Sequence, residues 1–248
     1  MDKITSDFMT LRVELTTYKD EKTAYNKLQE YDTLITEAKA DWTYEEQLVY
    51  DSFYVSEEYN YLLNDKSKIK YIKDKLYTQA EKNEQFIQLH SSEELSSWIY
   101  TLTADCFSCY MYYSIVAGTV KYGTKLKKYY NTALEINPDS STALTHLAQW
   151  YYWAPAIAGG SLNKAIELCE KALKEKKSSA EEFYALFYLS QFLFDKNQKE
   201  KAAVYLNKAL EIEKDSEFIK NYIKINNDGY SFFTYNKNKS KLEGYYSE

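Results

Sequence analysis

Lys164-Ala165-Ile166-Glu167-Leu168-Cys169-Glu170-Lys171-Ala172-Leu173 returns 37 residues later as Lys201-Ala202-Ala203-Val204-Tyr205-Leu206-Asn207-Lys208-Ala209-Leu210. A third copy, Tyr130-Asn131-Thr132-Ala133-Leu134-Glu135-Ile136-Asn137-Pro138, lies 39 residues before the first of these. The apolar positions fall three and four apart, which puts them on one face of an α-helix. Ala165, Cys169 and Ala172 make one such stripe, and Ala202, Leu206 and Ala209 the next. Self-similarity at this period marks stacked helical units, because one unit cannot bury its own apolar face.

On either side the chain keeps the helical rhythm. Six Gly and two Pro in 248 residues leave most helix ends to be marked by caps. Thr43-x-x-Glu46, Ser91-x-x-Glu94 and Ser179-x-x-Glu182 have capping-box spacing, where side chain and backbone satisfy each other's free N–H groups. Asp139 and Asp215 are further N-cap candidates. These marks predict helices over 2–17, 20–38, 43–64, 66–88, 92–117, 121–136, 140–154, 162–176, 180–195, 198–212 and 215–226. The short links between them imply antiparallel neighbours. After Asn227 the character changes: Asp228-Gly229 signals a turn, Tyr230 to Tyr235 is aromatic, and 236–241 is polar and expected to be mobile.

The repeat resembles the tetratricopeptide repeat, a helix–turn–helix unit of about 34 residues. In that family the second helix has a small residue, a bulky one four later, Ala three after that and Pro five beyond. Ala202, Leu206 and Ala209 match, with Lys214 at the proline place. Ala165, Cys169 and Ala172 match again. Tyr130, Ala133 and Pro138 match, while Leu126 stands where a small residue belongs. Leu144, Leu147, Ala148 and Tyr151 fit the first helix, as do Leu186, Leu189, Ser190 and Leu193. The match covers 121–214; residues 20–88 keep the hairpin rhythm without the signature. The resemblance implies an all-α, right-handed α-α superhelix of helical hairpins in three parts. These are a degenerate hairpin region over 1–91, repeats over 92–226, and an aromatic and polar tail over 227–248.

Between Tyr151 and Ala165 the chain carries extra residues, Tyr152-Trp153-Ala154-Pro155-Ala156-Ile157-Ala158-Gly159-Gly160. They look like the long inter-helix turns of bacterial tetratricopeptide lipoproteins associated with transporters. A turn that fills space between repeats is the plainer reading.

Composition narrows the function. Of 31 basic residues Arg12 is the only arginine, and the net charge is −6. Without arginine forks or a positive field, nucleic acid is not expected as a partner. No stretch is apolar and long enough to span a bilayer or to form a signal-peptide core. As written the chain is expected in the cytoplasm; with a signal removed, the resemblance implies a periplasmic lipoprotein. Three cysteines make no disulfide framework.

Catalytic chemistry finds no anchor. Cys106-Phe107-Ser108-Cys109 is C-x-x-C, but a redox pair belongs at a helix N-terminus after a strand, and these lie deep in a helix. A zinc site would need Cys106, Cys109, His146 and Cys169 to converge from separate repeats, which nothing in their spacing predicts. His90 and His146 are lone histidines. Glu45-Glu46, Glu57-Glu58 and Glu181-Glu182 are expected at helix starts or on solvated faces. No phosphate loop or nucleophile motif is present. The expectation is a protein that is not an enzyme and needs no cofactor or metal.

Aromatic residues make up 17% of the chain, 27 of them Tyr. The resemblance implies that the first helix of each hairpin lines a concave groove. By position this places Tyr110, Tyr113, His146, Gln149, Tyr152, Trp153, Tyr184, Tyr188 and Gln191 toward it. Rigid aromatics with polar tips anchor ligands at small entropic cost, although many also pack between repeats. The expected partner is a protein or peptide segment. The other reading is a small molecule held in a pocket beside the 152–160 insert. The aromatic tail is expected to cap the stack, with occupancy of the groove as the alternative.

Overall fold

The computed structural model describes residues 1–113 and 115–246, and for 115–117, 240, 241 and 243–246 the backbone alone. Among the described residues there are helices and turns and no strand. The α-helices are α1 (Asp2–Leu15), α2 (Glu21–Leu34), α3 (Tyr44–Leu62), α4 (Ile69–Leu89), α5 (Ser97–Tyr112) and α6 (Ile115–Ile136). They continue as α7 (Ser141–Trp153), α8 (Leu162–Glu175), α9 (Ser179–Asp195), α10 (Lys199–Ile212), α11 (Glu217–Asn227) and α12 (Phe232–Tyr246).

Caps decide the starts, although not always at the expected residue. Thr43 and Glu46 form the full capping box that opens α3. Elsewhere the hydroxyl that meets the free N–H group sits one or a few residues away. Ser96, not Ser91, opens α5, and Ser178, not Ser179, opens α9. Ser140 and Ser216 cap α7 and α11 in place of Asp139 and Asp215.

The helix expected over 92–117 is shorter at both ends, and α6 begins at Ile115 and runs through Gly118 and Gly123. A Cβ at Gly118 would lie 3.0 Å from Met111 Cγ, so glycine lets the start of α6 press against the last turn of α5. The 236–241 segment, expected to be mobile, belongs to α12; Ser247 and Glu248 lie outside the described residues.

Consecutive helices pair as α3/α4, α5/α6, α7/α8 and α9/α10, and α4, α6 and α8 each also touch the first helix of the next pair. The buried stripes of α8 (Ala165, Cys169, Ala172) and α10 (Ala202, Leu206, Ala209) are small enough to bring neighbouring helices close. The first helices α3, α5, α7 and α9 also touch in sequence, forming a row.

The row bends. Four helices side by side would separate the first and last axes by about 27 Å at ~9 Å spacing. Yet Arg12 of α1 donates from Nε to Glu57 of α3 at 2.9 Å and stacks 4.6 Å from the Tyr184 ring of α9. One side chain therefore touches both ends, with α1 lying between them. A single core cluster accordingly runs from Phe8, Tyr50 and Phe53 to Phe183, Phe187 and Tyr222.

Glu57 and Glu58 are buried in α3 rather than on a solvated face. The cause is local pairing. Glu57 accepts from Arg12, Asn60 and Tyr61, and Glu58 from Tyr25, Tyr71 and, at 2.6 Å, Lys75. A buried carboxylate is tolerated only with such partners.

Candidate functional site

Arg12 and Glu57 form an ion pair in the interior of the molecule. Above Glu57 on the row, α5 contributes Asp105 and Cys109 one turn apart, and α7 contributes His146. His146 Nδ1 lies 2.8 Å from Asp105 Oδ2, and the Tyr130 hydroxyl donates to Asp105 Oδ1 at 2.7 Å. Asp105 thereby fixes the ring, and the other ring nitrogen makes no hydrogen bond among the described residues. Asp105 thus ties α5 to α6 through Tyr130 and to α7 through His146.

Burial sets the protonation states. It pushes the Cys106 thiol up to about 12 and Cys109 well above the usual thiol range, with Asp105 adding to both. Neither thiol is a thiolate at neutral pH, so neither is an activated nucleophile. Burial likewise lifts the Tyr188 phenol to about 12 although Arg12 opposes the shift. Burial works against the Arg12 charge too, but Tyr184 and Glu57 outweigh it and hold the guanidinium above its ordinary value.

Of the residues expected in the groove, Tyr184 stacks under Arg12 and His146 pairs with Asp105, while Tyr113 follows the last turn of α5. The Tyr113 ring packs edge-on against Tyr59 and Tyr112, and burial lifts its phenol to about 12. Gln149 is half-buried on the same turn of α7. Tyr110 is not part of the group. It packs on Tyr77 of α4 and Tyr122 of α6, with Lys73 over its ring. The reason is helical phase: once Asp105 and Cys109 point inward, Tyr110 turns toward the hairpin partners.

Tyr152, Trp153 and Gln191 are engaged by the tail. Phe233 is 1% exposed. Its ring stacks on Tyr152 with centroids 3.9 Å apart and on Phe192 at 5.2 Å, and meets Trp153 edge-on. Phe232 packs against Phe187, Tyr188 and Tyr222. Gln191, fully buried, accepts from the Phe232 backbone N–H at 2.8 Å and exchanges hydrogen bonds with Asn226. The turn that delivers this segment uses Gly229 at φ 95°, where a side chain would be strained.

The 152–160 insert is compact and projects outward. Ser161 N–H donates to the Tyr151 carbonyl at 2.8 Å, and a Cβ at Gly160 would clash with the Ala154 carbonyl. Ile157 at its tip is 98% exposed, so it walls no enclosed pocket. Cys169 belongs to another core cluster than Cys106 and Cys109, with Ala165 and Phe192 around it. Among the described residues no three His, Cys, Asp or Glu side chains are grouped as metal ligands, and no helix is long and apolar enough to cross a membrane.

No family model matches the sequence, and no curated protein is similar to it. Arg12, Glu57 and Asp105 are the site residues that the repeat pattern could not supply. The one available signal was composition, since a lone arginine among thirty lysines invites a specific role.

Proposed function

We propose that this chain is a non-catalytic binding protein of the tetratricopeptide type, a superhelical scaffold that holds a protein or peptide segment on the inner face of its first-helix row. One observation carries the reading: that face already holds a piece of chain in the manner of a ligand. Residues 230–236 bring an aromatic pair onto Tyr152, Tyr188 and Phe192, and Gln191 takes the backbone N–H of Phe232. Aromatic burial supplies affinity, and the side-chain amide fixes direction. In this reading the tail is an internal occupant that a partner displaces.

The lifted thiols favour binding over catalysis. His146 and Asp105 resemble an oriented base, but no activated nucleophile stands beside them.

The test is to supply the segment in trans. A labelled peptide of residues 228–239 is expected to bind a chain that ends at Asn227, measured by fluorescence anisotropy. Gln191→Ala should weaken it by about tenfold, the scale of one hydrogen bond to a buried partner. A folded truncated chain that ignores the peptide would remove the reading.

A further inference from the structure

One end of the stack carries apolar side chains that the fold leaves uncovered. The Trp150 indole N–H donates to the Gly123 carbonyl at 2.8 Å, which sets α7 in register beside α6. The two helices run antiparallel, so three residues on along α7 and three back along α6 bring Trp153 level with Val120. Val120 is 82% exposed and Trp153 55%, although Tyr152 and Phe233 hold the Trp153 ring edge-on. The insert continues past Trp153. Its single helical turn, Ala156–Ala158, ends in the left-handed Gly159 and holds Ile157 out at 98% exposure. Side chains this open line no groove.

Charge is sorted around them. Residues 106–134 and 140–166 contain Lys121, Lys125, Lys127, Lys128 and Lys164 and no Asp or Glu, in a chain of net charge −6. Lys125 pairs with Glu84 and Lys164 with Glu167, whereas Lys121, Lys127 and Lys128 make no ion pair among the described residues. Lys127 lies instead over the Trp150 and Tyr151 rings at 4.7 and 4.9 Å, and a Cβ at Gly159 would come 3.9 Å from its Nζ. An unpaired ammonium thus sits at the base of the apolar tip.

We propose that this end docks on an anionic lipid surface, with Ile157 and Trp153 entering the boundary between headgroups and acyl chains and Lys121 and Lys127 meeting the headgroups. Charge complementarity argues for it: unpaired lysines beside uncovered apolar tips bind such a surface by attraction added to apolar burial. Indole suits that boundary, with an apolar ring and a polar N–H edge. A protein partner would need a pocket shaped to each projecting side chain, whereas lipid closes around a projection of any shape. Ile157, Val120 and Lys127 are not part of the cluster that holds Phe233, and the proposal does not rest on peptide binding.

The test is flotation of the full-length protein with vesicles of phosphatidylcholine, alone or mixed with phosphatidylglycerol. The protein should float with the mixed vesicles, less so as salt is raised, and not with the neutral ones. Ile157→Ser should weaken binding at least about tenfold, the scale of one buried aliphatic side chain. Lys121→Gln together with Lys127→Gln should weaken it about thirtyfold, as expected for two lysines at the surface. Leu89→Ser removes an equally open apolar side chain at the far end of α4 and should change nothing. Brominated acyl chains should quench tryptophan fluorescence in the parent chain and much less in Trp153→Phe. Equal flotation with neutral vesicles, a loss in Leu89→Ser equal to that in Ile157→Ser, or undiminished quenching in Trp153→Phe would overturn the proposal. So would an absence of flotation; polyglutamate binding that then depends on Ile157 would assign the edge to an acidic protein instead.

Discussion

Around α8 and α10 the deepest positions are Ala165, Cys169, Ala172, Phe192, Ala202 and Ala209, whereas around α3 and α4 the buried positions include Ser52, Glu58, Gln79 and Asn83. The first region is held by shape: small residues let helices approach and aromatic rings fill what remains. The second is held by a polar network. Asn83 donates to Ser52 Oγ at 2.8 Å, Gln79 donates to Asn83 at 3.0 Å, and Ser52 donates to the Leu48 carbonyl. Helix pairs of the same architecture can therefore be closed by apolar packing or by mutually satisfied polar groups, and only the first leaves a periodic trace in sequence.

Alkali should have the largest effect, because buried phenols and thiols lie in both regions. The tyrosines and thiols around α3 and α5 have pKa values raised by burial, with Tyr113 and Cys106 near 12. A group whose folded pKa is raised contributes stability that is complete below its unfolded pKa and lost as pH rises through the folded value. Stability should thus begin to fall above about pH 9 for the thiols and 10 for the phenols, and be lost by about 12. Circular dichroism followed alongside tyrosinate absorbance should show helix loss and phenol ionisation together. Ionisation of all 27 tyrosines with the helices intact would contradict the burial argument.

Next in size is the apolar region. Phe192→Ala removes a ring that stacks on Phe233 and packs tilted against Tyr152, and should cost about 3–5 kcal/mol in chemical denaturation. In the polar region Glu58→Ala leaves Tyr25, Tyr71 and Lys75 without their acceptor. Lys75 keeps some water, so the expected cost is smaller, about 2–3 kcal/mol. Asn83→Ala should cost about 1–2 kcal/mol by taking one hydrogen-bond partner each from Gln79 and Ser52. If the polar variants cost nothing while Phe192→Ala does, the network is incidental. Ile157→Ser, at the exposed tip of the insert, should stay within about 0.5 kcal/mol of the parent chain.

The contrast also explains what could be read in advance. The ends of α8 and α10 fall within a residue of expectation, because alanine stripes mark both and Ser161 caps α8. The α5–α6 junction was not legible: it has no proline, and Gly118 serves close contact with Met111 inside a helix. Asparagine and lysine in α12 gave no apolar period, since its anchor is the single pair Phe232 and Phe233. The expectation for His146, Tyr184 and Tyr188 rests on their places in the repeat pattern. Arg12 and Glu57 have no such place: they come from outside the repeated stretch and meet the others only when the row bends.

Residues 230–236 are proposed to occupy the inner face of the first-helix row rather than to belong to the stack. Native-state hydrogen exchange measures this directly, because separable segments open at lower free energy than the core that holds them. The first amides of α12 should exchange through an opening well below the global unfolding free energy, while those of α9 exchange near it. Coincident protection of α12 and α9 would contradict it, and would make the tail a fixed part of the fold.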